Sequence, residues 1–135
     1  MHLHATTVVL AGRALLIAGP AGAGKSSLAL EMMALGAGLI ADDVTELFEE
    51  DGALWARAPE GLPAAIEARG IGLLNAPLAP PAPVMAALDL TRCTAERMPQ
   101  VQRISLLGHA KPLLQNTESG PLSAKLVQYL KHKPL

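Results

Sequence analysis

Residues 19–26 read Gly19-Pro-Ala-Gly-Ala-Gly-Lys-Ser26, the spacing Gly-x-x-x-x-Gly-Lys-Ser. The apolar run Ala14-Leu-Leu-Ile-Ala18 precedes it, and Ser27-Leu-Ala-Leu-Glu-Met-Met-Ala-Leu35 follows with helical character. Strand, glycine loop and helix in that order are the context a phosphate-binding loop requires. Gly22 and Gly24 allow a turn tight enough for successive amides to face a phosphate, and the helix start adds its positive dipole end. In this motif the lysine, Lys25, reaches the β- and γ-phosphates of a nucleotide, and the hydroxyl of Ser26 ligates Mg²⁺. The phosphate-binding set is therefore Gly19, Pro20, Ala21, Gly22, Ala23, Gly24, Lys25, Ser26 and Ser27.

Working outward, residues 4–10 are rich in Thr and Val and read as a strand, with Ala11-Gly12-Arg13 as the turn into the strand at 14–18. A hairpin thus leads into the loop, whereas a plain nucleotide kinase usually begins with the loop strand itself. The helix over 26–35 is apolar nearly all the way round and is expected to be buried, stopping at Gly36 and Gly38. Gly38-Leu-Ile-Ala41 is a short strand that ends in Asp42-Asp43. Carboxylates at the end of a core strand behind such a loop handle metal. Two of them side by side near phosphates divide the work, one binding metal and the other accepting a proton. The residues alone leave open which does which.

Residues 45–48 and 53–57 read as a hairpin across Asp51-Gly52. Residues 64–68 read as one helical turn closed by Arg69-Gly-Ile-Gly72. Glu67 and Arg69, two apart, share a side only if the segment is extended, so joint work at a site favours an extended loop there. The four prolines over 76–83 mark a stiff connection, 84–90 a buried strand, and 91–99 a polar link. A half-exposed strand follows over 102–107, a loop over 109–120, and a terminal helix over 121–132 with Leu122, Leu126 and Leu130 on one stripe.

With 135 residues the chain is expected to form one domain over 1–135. Half of it is hydrophobic, yet Phe48, Trp55 and Tyr129 are the only aromatics, so aliphatic side chains fill the core. A formal net charge of -1 offers no basic field for nucleic acid, and no apolar run is long enough to span a bilayer. The single Cys93 cannot form an internal disulfide, which suits a cytoplasmic protein.

Together these stretches resemble the C-terminal kinase domain of the HPr kinase/phosphorylase family. The resemblance rests on His4 in the leading hairpin, the loop at 19–26, Leu39-Ile-Ala-Asp-Asp43, and Ile66-Glu-Ala-Arg-Gly-Ile-Gly-Leu-Leu74. It implies an α/β fold of the HPr kinase and phosphoenolpyruvate carboxykinase-like type, a central mixed sheet with flanking helices. It implies an ATP- and Mg²⁺-dependent serine kinase acting on an HPr-type phosphocarrier, in a homo-oligomer that is a hexamer in the family. By the same resemblance Asp42 accepts the serine proton and returns it in the reverse, phosphate-driven reaction, and His4 tunes that carboxylate. Lys25 completes the catalytic group. Ser26, Asp43 and Glu67 hold Mg²⁺, and Arg69 shapes the loop over the nucleotide phosphates.

The chain departs from the family at several points. It starts at the hairpin, like short proteobacterial forms without the N-terminal domain. The family's Met-His-Gly is Leu3-His4-Ala5, and the Arg that commonly follows the two aspartates is Val44. No Arg-Pro-Gly-Arg-Asn run exists; Leu107-Gly-His-Ala-Lys-Pro112 is expected in its place, with Lys111 and His109 as the only cations for a second phosphate. Weak phosphorolysis is the expectation. Two rival functions keep the same loop: a regulatory module that binds ATP and a partner such as a sensor kinase, and a small-molecule kinase.

Overall fold

The computed structural model describes residues 1–135. Its elements are, in chain order, β1 (His2–Leu3), β2 (Ala5–Leu10), β3 (Arg13–Ala18), α1 (Lys25–Ala34), β4 (Gly38–Ala41), β5 (Thr45–Glu50) and β6 (Ala53–Arg57). They continue with β7 (Ala65–Ala68), β8 (Gly72–Asn75), β9 (Ala82–Thr94), β10 (Gln102–Leu106), β11 (His109–Thr117) and α2 (Leu122–Lys131). Three hairpins close on two residues that both have positive φ: Ala11-Gly12, Asp51-Gly52 and Leu107-Gly108. That turn matches the right-handed twist of the strands it joins.

One mixed sheet runs β1-β5-β6-β9-β3-β2-β4, and β11 with β10 joins it through β9. β9 is the spine. One of its edges pairs in parallel with β3, aligning Ala18 with Asp89. The other edge serves β6 at its start and β11 further on, so the sheet divides there. Both helices pack on one face: Leu28, Ala29 and Met32 of α1 meet Leu126, Val127 and Leu130 of α2 over Leu15, Ile17 and Leu88. On the other face Leu16 and Ala87 pack against Leu47 and Leu54 of the curled β5–β6 hairpin. The alternation of Leu15 and Ile17 with Ala14 and Leu16 sends successive side chains to the two cores, as the pleat dictates. Leu88 is fully buried in the helix-side core. Truncation by Leu88→Ala is expected to cost about 2–5 kcal/mol, read from the denaturant midpoint at unchanged slope.

Several local expectations need correction. α1 is buried on one side only; Ser27, Glu31, Ala34 and Leu35 are exposed because no layer covers that face. Residues 65–68 form strand β7 rather than a helical turn. A single turn cannot repay its nucleation cost, whereas β8 offers a full set of partners, aligning Glu67 with Leu73. Residues 109–117, expected as a loop because of Pro112, form β11. Pro112 pairs with Arg103 and precedes Leu113, the first residue aligned with β9, so its missing amide interrupts no ladder on that side. β11 in turn extends β9 to Thr94, four residues beyond the expected end. No helix is long and apolar enough to cross a membrane.

Candidate active site

β3 delivers the chain into the glycine loop at the end of the sheet marked by Ala18 and Asp89. The loop turns on a hydrogen bond from the Ala23 amide to the Pro20 carbonyl (3.1 Å), with Gly22 and Gly24 at φ 84° and 98°. A Cβ on Gly19 would stand 3.0 Å from that of Ala23, so a side chain there would have to push the loop aside by a few tenths of an ångström. Gly24 caps α1 without any side-chain hydrogen bond, so no side chain competes for the amides of the first turn.

Lys25 is buried, and its ammonium donates to the carbonyls of Gly19 (2.7 Å) and Pro20 (3.2 Å). It also stands 4.0 Å from Asp43 Oδ1. The next residue, Ser26, donates its hydroxyl proton to Asp42 Oδ1 at 2.7 Å. Asp42 Oδ1 accepts a second bond from the Thr6 hydroxyl (2.9 Å), and Oδ2 accepts from the Glu67 amide (3.2 Å). Asp42 is thus held by three donors from three different elements.

Asp43 is its opposite. The side chain is 71% exposed and accepts no hydrogen bond, with the Lys25 ammonium as its nearest ionic partner. Its φ is 71°, and the Val44 amide bonds back to the Asp42 carbonyl at 2.9 Å. This is a γ-turn of the rare, strained positive-φ form. The turn projects Asp43 into a cleft that it lines together with Lys25, Ser26, Glu67 and Arg69. No hydrophobic side chain lines that cleft, which fits phosphate groups better than a base or sugar.

Glu67 and Arg69 reach the cleft because β7 is extended. Ile66 and Ala68 point into the core while Glu67 and Arg69 stay outside on the shared face. The sequence thus brings Lys25, Ser26, Ser27, Asp43, Glu67 and Arg69 to one place, with Asp42 directly behind Ser26. Hard oxygen donors from Ser26, Asp43 and Glu67 suit Mg²⁺, which keeps several waters and needs few protein ligands besides phosphate.

His4 stands apart. It occupies an exposed bend between β1 and β2 rather than a strand, and makes no hydrogen bond to Asp42. Lys111 and His109 also fall elsewhere. His109 pairs with Glu49 of β5 (2.5 Å). Lys111 precedes Leu113, which aligns with Ala87, so it lies about four strand residues, or roughly 13 Å, short of the Ala18–Asp89 end. The part of β11 at the loop's end of the sheet is Gln115–Thr117, which carries no cation.

Two residues at this end escaped the sequence reading. Thr6 is fully buried and bonded to both aspartates; the only signal was a polar pair, Thr6-Thr7, in a strand with apolar neighbours. Asp89 is level with Ala18, and hydrogen bonds from the Thr91 hydroxyl and amide hold its carboxyl below the ordinary aspartate range. Arg92, 3.7 Å away, adds a smaller pull in the same direction.

Comparison with known proteins finds relatives of the first part of the chain and a solved structure of the same fold. Residues 1–78 match the family described as the HPr Serine kinase C-terminal domain. HPr kinase/phosphorylase of Leptothrix cholodnii is 44% identical over 73 residues, 53% of this chain and 22% of the relative. That of Azoarcus sp. (strain BH72) is 45% identical over 76 residues, 56% of this chain and 24% of the relative. The chain therefore matches under a quarter of the length of these relatives. A solved Hpr(Ser) kinase/phosphatase from Coxiella burnetii superimposes with a TM-score of 0.79 at 24% identity, covering 97% of this chain and 88% of that one. The shared fold extends through β11 and α2, beyond the matched family segment.

Proposed function

Because the chain belongs to the HPr serine kinase C-terminal domain family, we propose that it transfers the γ-phosphate of ATP to a serine of an HPr-type phosphocarrier protein. In this reading residues 1–135 act as one cytoplasmic kinase unit, and any homo-oligomer arises from copies of it. The observation that carries the proposal is the convergence of Lys25, Ser26, Asp43, Glu67 and Arg69 on one polar cleft beside the glycine loop.

Phosphoryl transfer asks a protein mainly for positioning and charge neutralisation. The loop amides cradle the phosphates, and Lys25 exchanges its two carbonyl partners for phosphate oxygens. Arg69 faces the same cleft with a planar fork that suits a phosphate edge. Ser26 and Glu67 would hold Mg²⁺, and Asp43 lines the same cleft. Bound there, the metal neutralises charge on the phosphate oxygens.

We assign the carboxylate roles by their partners, which reverses the family-based expectation. Asp42 spends both oxygens on Thr6, Ser26 and Glu67, so it orients the Ser26 hydroxyl. Asp43 is exposed and free to accept the proton of an incoming serine hydroxyl. His4 is exposed and adjoins Ala5, which aligns with Ala18 at the loop's end of the sheet, so in this reading it is open to the protein substrate.

The reverse reaction is expected to be feeble. Inorganic phosphate attacking the phosphoserine brings two anions to a cleft whose only basic side chains are Lys25 and Arg69, while Arg92 is engaged by Asp89 and Gln102. With serine-phosphorylated carrier, Mg²⁺ and millimolar phosphate, pyrophosphate release should run well below the forward rate; equal rates would overturn this asymmetry. The function itself is tested by incubating the protein with γ-labelled ATP, Mg²⁺ and the phosphocarrier. Label moving to the carrier supports the kinase. Tight ATP binding without transfer would make the protein a regulatory module instead.

A further inference from the structure

We infer that Thr6 is a positioning residue whose single hydroxyl clamps Asp43 in its strained turn and aims that carboxylate at the phosphate cleft. Thr6 lies on β2, aligned with Ile17 of the strand that enters the glycine loop, and is fully buried. Its Oγ1 is 3.1 Å from the Asp43 amide and 2.9 Å from Asp42 Oδ1. The directions of both bonds follow from the groups involved. An amide N–H can only donate, so the hydroxyl accepts from Asp43; its own proton then goes to the Asp42 carboxylate. One atom is therefore bonded to the side chain of the first aspartate and to the backbone of the second.

The clamp answers a problem set by the turn. A γ-turn at φ 71° persists only where its surroundings over-determine it. The Val44 amide closes the turn from one side, and the Thr6 hydroxyl, anchored on a strand held between β3 and β4, holds its central amide from the other. Without that hydroxyl the Asp43 amide loses its partner and the turn can relax toward ordinary backbone angles. The exposed Asp43 side chain has no hydrogen bond of its own to keep it aimed. Asp42 would keep Ser26 and Glu67, so the nucleotide loop should be little disturbed.

Thr7, the next residue, supplies an internal control. It is equally buried, but its hydroxyl lies 2.7 Å from that of Thr45, which donates to the Ala5 carbonyl. Neither bond of that pair reaches a carboxylate.

The inference rests on the proposed role of Asp43, so the test joins a readout of activity to one of structure. Thr6→Val, Thr6→Ala, Thr6→Ser and Thr7→Val are compared for exchange of the Asp43 amide by NMR, ATP dissociation constant and phosphate transfer. In Thr6→Val, and in Thr6→Ala as a second shape that cannot overfill the strand, exchange should rise and transfer fall about tenfold or more. ATP affinity should stay within about threefold, since the loop contacts are kept. Thr6→Ser should restore both properties, and Thr7→Val should leave both at the parental level. The clamp is overturned if Asp43 exchange is unchanged without the hydroxyl, if Ser rescues nothing, or if Thr7→Val gives the same losses. A parent that transfers no phosphate would sink the kinase reading, while the exchange comparison would still decide the clamp.

Discussion

Lys25→Ala is expected to lower phosphate transfer by about 10²- to 10³-fold, the usual worth of one preorganised donor at developing charge. The ammonium is buried beside the loop and is the only lysine in the cleft. Its removal also takes the ammonium from the Gly19 carbonyl and leaves the Pro20 carbonyl with the Ala23 amide alone, so the glycine loop should loosen. The fold should survive, because Lys25 belongs to neither apolar core. An ATP titration beside a thermal melt checks both halves. A folded Lys25→Ala protein with parental turnover would remove the phosphate assignment of the loop.

Asp43→Asn carries the second large effect. The substitution preserves shape and the backbone bond to Thr6 but removes the proton acceptor. Transfer should fall by roughly 10²- to 10⁴-fold with Mg-ATP affinity retained. Asp42→Asn should behave differently. Its new amide would set a donor against one of the three donors that now converge on the carboxylate. With the amide oxygen kept toward Thr6 and Ser26, the conflict falls on the Glu67 amide; β7 should shift and the Mg²⁺ concentration needed for half-maximal rate should rise. Rates measured across a Mg²⁺ titration separate the two variants. If Asp43→Asn keeps parental transfer while Asp42→Asn loses it at saturating Mg²⁺, the roles belong the other way round.

The glycine loop between β3 and α1 was legible because its signal is local: three glycines, a lysine and a serine between a strand and a helix. The hairpins at 11–12 and 51–52 were legible for the same reason, their turns carrying Ala-Gly and Asp-Gly. The third, at Leu107-Gly108, was not, since a leucine at φ 50° gives no turn signal. With that turn unread, Pro112 looked like a loop residue and β11 disappeared, which placed Lys111 and His109 at the wrong end of the sheet. β7 failed for a different reason. Ala65-Ile-Glu-Ala68 suits a helical turn locally, and only its pairing with β8 decides the matter.

The two aspartates mark where local reading stops. Adjacent in sequence and identical in chemistry, they differ through a turn that exposes one and through donors from β2, α1 and β7 that engage the other. Thr6 and Glu67 are 61 residues apart, and nothing between them in sequence announces that both address Asp42.

The central claim is that this cleft moves phosphate to a hydroxyl with Asp43 as proton acceptor, and the residue that receives the phosphate tests it most directly. A neutral imidazole attacks phosphorus without a base, whereas a serine hydroxyl gains from one. Mass-spectrometric mapping of the phosphocarrier after reaction with ATP and Mg²⁺ should therefore find one phosphoserine, formed roughly 10²- to 10⁴-fold more slowly when Asp43 is Asn. Phosphate on a histidine, or on serine at an undiminished rate with Asp43→Asn, would contradict the account.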